Sequence, residues 1–164
     1  MIKTDWLHSS DADAQLPDNY FSCLKAQNSK KSVAACYNFT HKSEDKVTEC
    51  ANAIYEQALR YYVAGLTYAN SAYNYFSIGS VLAFKANEYA SVRGFPKRSA
   101  GEDFYLLNKL AKLGDILWLD NSVITLEARI SDRVPFGTGP AVKNIVELSA
   151  QGQQYSYYHP IIFQ

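Results

Sequence analysis

The chain has no surplus of charge, few cysteines and no long apolar run, and each absence removes a class of protein. Sixteen Lys and Arg stand against sixteen Asp and Glu. A protein that grips nucleic acid through its phosphates carries a basic excess, so no nucleic-acid partner is expected. The three cysteines, Cys23, Cys36 and Cys50, are odd in number and lack metal-ligand spacing. Reduced thiols in a cytoplasmic protein account for them most simply. The sequon Asn38-Phe39-Thr40 carries little weight without a signal peptide, and Asp5 interrupts the start with no apolar stretch after it. No apolar run approaches the roughly 20 residues that cross a bilayer. Balanced charge also gives no strong electrostatic hold on a membrane, so the expected location is cytoplasmic, at most peripheral to the inner face of the membrane. There is no internal repeat and no low-complexity tract.

What is present is material for a core. Hydrophobic residues make up 48% of 164 residues, enough for one α/β domain over residues 1–164. Thirteen Tyr and eight Phe are many. Such enrichment suits stacking on sugars or bases, and equally a dense core or a subunit interface.

Taken in order, Trp6 to Ser10 reads as a short strand that ends in Asp11-Ala12-Asp13. Pro17 suits a first helical residue, with Tyr20, Phe21 and Leu24 along one face. The two acids therefore lie in the loop at the carboxyl end of a strand, where open α/β sheets bind ligands. Carboxylates spaced i, i+2 can hold a hard cation such as Mg2+ or Mn2+ and leave positions for phosphate oxygens. Ser32 to Phe39 reads as a second strand. Ser43, Glu44 and Asp45 open a helix that runs to about Ala69, its buried stripe marked by Val47, Ala51, Ile54, Ala58, Tyr61 and Tyr62. Tyr73 to Phe84 is the third strand region, with Gly79 allowing a close approach to the backbone. Ala86 to Val92 gives one or two helical turns.

The second acidic pair is Glu102-Asp103, at the mouth of a helix with Phe104, Leu107, Leu110 and Ala111 at helical spacing. Ser99 and Glu102 fit a capping box and Gly114 fits a C-terminal stop. Two strands, 116–119 and 123–126, are expected next, separated by the turn residues Asp120 and Asn121. The loop from Arg129 to Gly139 is glycine-containing and basic, through Arg129 and Arg133, and suits an anionic ligand. Pro140 to Ala150 reads as a helix. The aromatic tail after Tyr155 is expected to pack rather than hang free.

Trp6-Leu-His-Ser-Ser-Asp-Ala-Asp-Ala-Gln-Leu-Pro17 resembles the Asp-x-Asp segment of a family-2 glycosyltransferase. The run Gly79 to Phe95 resembles that family's approach to the acceptor site. Gly101-Glu-Asp-Phe-Tyr-Leu-Leu is similar to its acidic motif at a helix head, and Arg129-Ile-Ser-Asp-Arg133 to the segment after it. The four stand in the family's order across most of residues 5–139. The resemblance implies a partial GT-A fold, a mixed sheet flanked by helices, with the acceptor-side region at about 75–139. It implies inverting transfer of a sugar from a nucleotide-sugar donor to a saccharide or lipid-linked acceptor. By this likeness Asp11 and Asp13 would hold Mn2+ or Mg2+ on the donor diphosphate. Asp103 would be the general base with Glu102 beside it, and Arg129 and Arg133 would face the leaving phosphates. His159 is read as an ordinary packed or exposed His rather than a late metal ligand. In the family, nucleotide-binding βαβ units precede the Asp-x-Asp segment; here it begins at residue 11. The expectation is therefore the carboxyl-terminal part of such a domain, its first strand offering an open apolar edge that a second copy or a partner chain covers. The alternative is a non-catalytic α/β module that self-associates and uses its acids only as caps.

Overall fold

Strand β2 (Ser32–Lys42) is buried on both faces from Ser32 to Tyr37. A run of Ser, Val, Ala, Ala and Cys can be covered on both sides because its side chains are small and uncharged, the signature of an inner strand. The chain is described here by a computed structural model covering residues 5–27, 31–130 and 137–164. Four strands form one sheet in the order β1-β3-β2-β4, where β1 is Trp6–Ser9, β3 is Leu82–Lys85 and β4 is Asp115–Glu127. β3 pairs antiparallel with β1 and with β2, so those two run parallel to each other. β4 lies alongside β2 in the same direction: the Asp115 N–H donates to the Lys31 carbonyl, and further on the Asn38 amide donates to the Asp120 carbonyl. The sheet is mixed. The helices are α1 (Ser22–Gln27), α2 (Lys46–Tyr68), α3 (Ala86–Ser91), α4 (Glu102–Leu110) and α5 (Thr138–Ala150). The protein is of the α/β class, and no helix among the described residues is long and apolar enough to cross a membrane.

The contacts divide the chain into two compact units, Met1–Thr40 with Tyr75–Thr125, and His41–Asn74 with Leu126–Gln164. In the first, Val33, Ala34 and Cys36 of β2 and Leu82 and Phe84 of β3 pack with Leu106, Leu107 and Leu110 of α4. Truncating any of those three fully buried leucines to Ala costs about 2–5 kcal/mol. Burial in the same core pushes the Cys36 thiol up to about 12, against a hydrogen bond to the Phe76 carbonyl, so this sulfur is inert. In the second unit, α2 and α5 pack through Ala51, Val142 and Ile145, with Tyr155 of the tail against them. Asp45 caps α2, its carboxylate accepting the N–H groups of Val47 and Thr48. The tail ends in a 3-10 turn, Pro160–Phe163, and Phe163 is buried, as a packed tail requires.

Several expected elements differ. α1 begins at Ser22, not Pro17; Tyr20 and Leu24 are buried but Phe21 is exposed. The Pro17 carbonyl instead closes a turn by accepting the Tyr20 N–H. On α2 the buried positions are Thr48, Ala51 and Asn52, whereas Val47 is 57% exposed and Tyr62 40%. Of the expected stripe, Ala51 is buried and Ile54 packs half-buried against the same core, while Val47 and Tyr62 face outward because a long helix buries only the face its neighbours cover. The third strand region shrinks to a 3-10 turn, Gly79–Val81, and the short β3. No Ser99 capping box forms, because Gly101 takes a left-handed conformation (φ 72°) and opens α4 without a side-chain cap.

β4 is continuous where a turn was expected. Asp120 and Asn121 are both exposed, and burial alternates on opposite phases before and after them, at Leu119 and then at Ser122, Ile124 and Leu126. One extra residue has been absorbed, as in a bulge. The carbonyls there are satisfied by side-chain amides: Asn38 to Asp120 and Asn19 to Asn121, each at 3.1 Å. Strand β1 is the edge of the sheet, with β3 as its one strand neighbour among the described residues. It is four residues long and its Trp6 is buried.

Gly114 closes the α4 end for a different reason from a left-handed stop. A methyl group there would run into the backbone carbonyl oxygen of Lys31 and come within 2.6 Å of Val33 Cγ1. At Gly79 the same methyl would sit at ordinary contact distance. Gly114→Ala is expected to lose about 1–3 kcal/mol by overpacking, and Gly79→Ala far less. Urea unfolding midpoints of the two variants, side by side, check this.

Candidate functional site

The loop carrying the first acids is tied at both ends. β1 ends at Ser9. The Asp11 carbonyl then accepts the Ala14 N–H at 3.2 Å, turning the chain through Ala12 and Asp13. Gln15 next forms a two-way bridge with Thr125 of β4, at 2.8 and 3.0 Å. Asp11 and Asp13 are exposed on the turn so formed.

The second pair sits in the first turn of α4. Glu102 is exposed and Asp103 half-buried. The Phe104 N–H donates to Asp103 Oδ1 at 2.7 Å. Asp103 also faces Gly79, whose N–H is a further donor, and the absent side chain of Gly79 leaves the space that Oδ2 approaches. Burial raises the Asp103 carboxyl above its ordinary range; the neighbouring Glu102 charge adds to this, and the backbone donors of Phe104, Asp103 and Gly79 oppose it. The result is a carboxylate more basic than a surface Asp, held in a fixed rotamer by its own helix and by the 3-10 turn.

Strand register brings the two pairs to one end of the sheet. Ser9, the last residue of β1, is opposite Leu82, the first of β3. Asp11 lies two residues beyond Ser9, and Gly79, which faces Asp103, lies three before Leu82. The Gln15–Thr125 bridge anchors the same loop near the carboxyl end of β4. Three elements far apart in sequence thus flank one end of the first unit, on the side where β1 and β4 finish. This is the position at which α/β sheets offer ligand sites.

Arg129 belongs to the second unit and is exposed just beyond β4, after the Ala128 N–H donates to the Lys42 carbonyl. Arg133 lies outside the described residues. His159 caps the last 3-10 turn, accepting the Ile161 N–H on Nδ1, which is a structural role. Among the described residues no three of His, Cys, Asp and Glu gather around one point. Asp11 and Asp13 offer exposed carboxylate oxygens, the donor type a hard divalent ion takes.

Two polar clusters escaped the sequence. His8, on β1, sits among the rings of Tyr20, Phe21 and Tyr37. The Tyr37 hydroxyl gives its proton to the Tyr20 carbonyl at 2.7 Å, so His8 Nδ1, 3.2 Å from that hydroxyl, must be the donor. Burial lowers the His8 pKa, which favours the neutral ring. In the second unit Glu56 accepts from the His41 ring and backbone and from Arg60, at 2.8 Å to each side chain. Burial pushes its carboxyl up, but the His41 hydrogen bonds and the electrostatic effect of His41 and Arg60 outweigh that and leave it lowered. The Glu56–Arg60 half has i, i+4 spacing and was legible; His41 is fifteen residues away and was not.

A carboxyl raised in the folded state binds its proton more tightly there than in the unfolded chain. Stability contributed by Asp103 is therefore greatest below the ordinary Asp pKa and is lost as pH rises through the folded value. Asp103→Asn keeps an acceptor for Phe104 and removes the titration. Its urea stability is expected to fall less than that of the parent as pH is raised from 3 to 7; parallel profiles would contradict the assignment. No family model matches this chain, and no curated protein matches it.

Proposed function

We propose that the chain is the acceptor-side part of a GT-A type glycosyltransferase, which transfers a sugar with inversion from a nucleotide-sugar donor to an acceptor hydroxyl. One observation carries this reading: a half-buried carboxyl with a raised pKa, Asp103, shares a sheet end with the exposed Asp11-Ala12-Asp13 loop. The resemblance of four ordered segments to family-2 glycosyltransferases supplies the reaction.

In this reading Asp103 accepts the proton of the acceptor hydroxyl as its oxygen bonds to the anomeric carbon of the donor sugar. The opposite bond, from that carbon to the diphosphate oxygen, breaks, and the nucleoside diphosphate leaves with the electron pair. A base whose pKa stands above that of a free Asp takes a proton from a weakly acidic alcohol more readily. Its rotamer is set before substrate arrives, because Phe104 and Gly79 hold it. Glu102, one residue away and exposed, keeps the local field negative and helps raise the Asp103 pKa. Asp11 and Asp13 would hold Mn2+ or Mg2+, which would supply positive charge to the leaving diphosphate.

Calorimetric titration with UDP and GDP, with and without Mn2+, tests the donor site. Metal-dependent binding is expected, and Asp11→Ala and Asp13→Ala are expected to abolish it. Asp103→Asn should retain that binding and slow sugar transfer by about 100-fold or more. Nucleotide binding indifferent to Mn2+ and to both Asp→Ala changes would remove the reading. Among the described residues β1 has β3 as its one strand neighbour, which further supports pairing with a second copy. Light scattering should then show a dimer whose share rises with concentration, and a monomer throughout would exclude it.

A further inference from the structure

In the second unit the tail returns along α2, and a groove of about 210 Å3 opens between them. It is lined by Ala58 and Tyr61 of α2 and by Tyr155, Ser156, Tyr157 and Tyr158 of the tail. From this uncharged lining of rings and hydroxyls we infer that the groove binds one ring of a neutral saccharide.

The walls are built. The Tyr61 hydroxyl donates to the Tyr158 carbonyl and the Tyr157 hydroxyl to Gln57 Oε1, each at 3.0 Å. The ring of Phe163 lies where a side chain on Gly65 would be, so the tail can seat closely on the helix. Tyr61 and Tyr157 have centroids 5.8 Å apart at 43°, and Tyr155 stands nearly at right angles to Tyr157. The faces are thus splayed rather than stacked shut. Two hydroxyls hold the walls. Those of Tyr155, Ser156 and Tyr158 have no hydrogen-bond partner among the described residues. Burial, and then the neighbouring Tyr158 and Tyr157, raise the Tyr155 pKa, so its phenol keeps the proton it can donate.

This lining selects by exclusion. An anion finds no counter-charge in the groove. A wholly apolar ligand would cover three hydroxyls and satisfy none of them. A pyranose ring presents a C–H face to an aromatic ring and a rim of hydroxyls to polar groups, which matches both features. The volume is below the roughly 300–1,000 Å3 of pockets for drug-sized ligands, so it suits one ring of a longer chain rather than a whole oligosaccharide. This site involves none of the four acids, and it stands or falls apart from the transferase reading.

Saturation-transfer NMR on the full chain, with maltotetraose, cellotetraose and chitotetraose as probes and no nucleotide or metal, tests it. Transfer to at least one probe is expected. Tyr157→Ala should weaken that binding about tenfold, for the loss of one stacking face. Tyr68→Ala, at an 80% exposed position on the same helix outside the groove, should leave it unchanged. Because Tyr157→Ala can also loosen the tail, Tyr155→Phe is the second variant; it keeps the ring, removes one free hydroxyl, and should weaken binding with thermal unfolding unchanged. Asp11→Ala and Asp103→Asn should bind the probes as the parent does. Absence of transfer to all three probes overturns the inference. So does transfer that survives both tyrosine changes, or loss of transfer in the acid variants.

Discussion

Burial of β2 on both faces is the constraint on which the first unit depends. An inner strand cannot carry charge or bulk on either side, and Ser32 to Tyr37 carries neither charge nor, before Tyr37, any large side chain. Small residues allow β3, β4 and α4 to come close. Gly114 extends the same logic past the end of α4, where the chain passes the Lys31 carbonyl with no room for a methyl group. The hydrogen bond from Asp115 to that carbonyl then starts β4 in register beside β2. A clash at this point would disturb the helix end and the strand start together.

The acids acquire their properties from that packing. Asp11 and Asp13 remain exposed because their loop is pinned at β1 and at Thr125, leaving the turn between to face water. Asp103 is different. Its helix is drawn against the sheet by Leu106, Leu107 and Leu110, and this carries the carboxyl of the first turn toward Gly79. Desolvation there outweighs three backbone donors and raises its pKa. The acids of one unit thus differ: Asp11, Asp13 and Glu102 stay exposed, whereas Asp103 is half-buried and its carboxyl is raised.

Elements with a strong local period were legible in the residues. The long helix after Asp45, the helix at Glu102, the one near Pro140 and the strand from Ser32 all stand where the residue pattern puts them. The failures share a cause. Asp120-Asn121 has turn chemistry, yet the amides of Asn38 and Asn19, far off in sequence, satisfy the carbonyls and let the strand continue as a bulge. Ser99 and Glu102 have the spacing of a capping box, but Gly101 adopts a left-handed conformation that side chains disfavour, and the helix starts from it. Tyr62 and Val47 sit at helical spacing with the core positions of α2, but which stripe is buried depends on where α5 lies.

By itself the sequence determined the α/β class, the balanced charge and the two acidic pairs, each at the end of a recognisable element. Those properties follow from local periodicity and composition, which act over a few residues. Only the tertiary structure decided that Asp11 and Asp103, ninety-two positions apart, share one end of a sheet, that Asp103 is desolvated while Asp11 is not, and that four tyrosines line a groove. Register, burial and the partner of each polar group arise from contacts between distant segments, and no local pattern encodes which segments will meet.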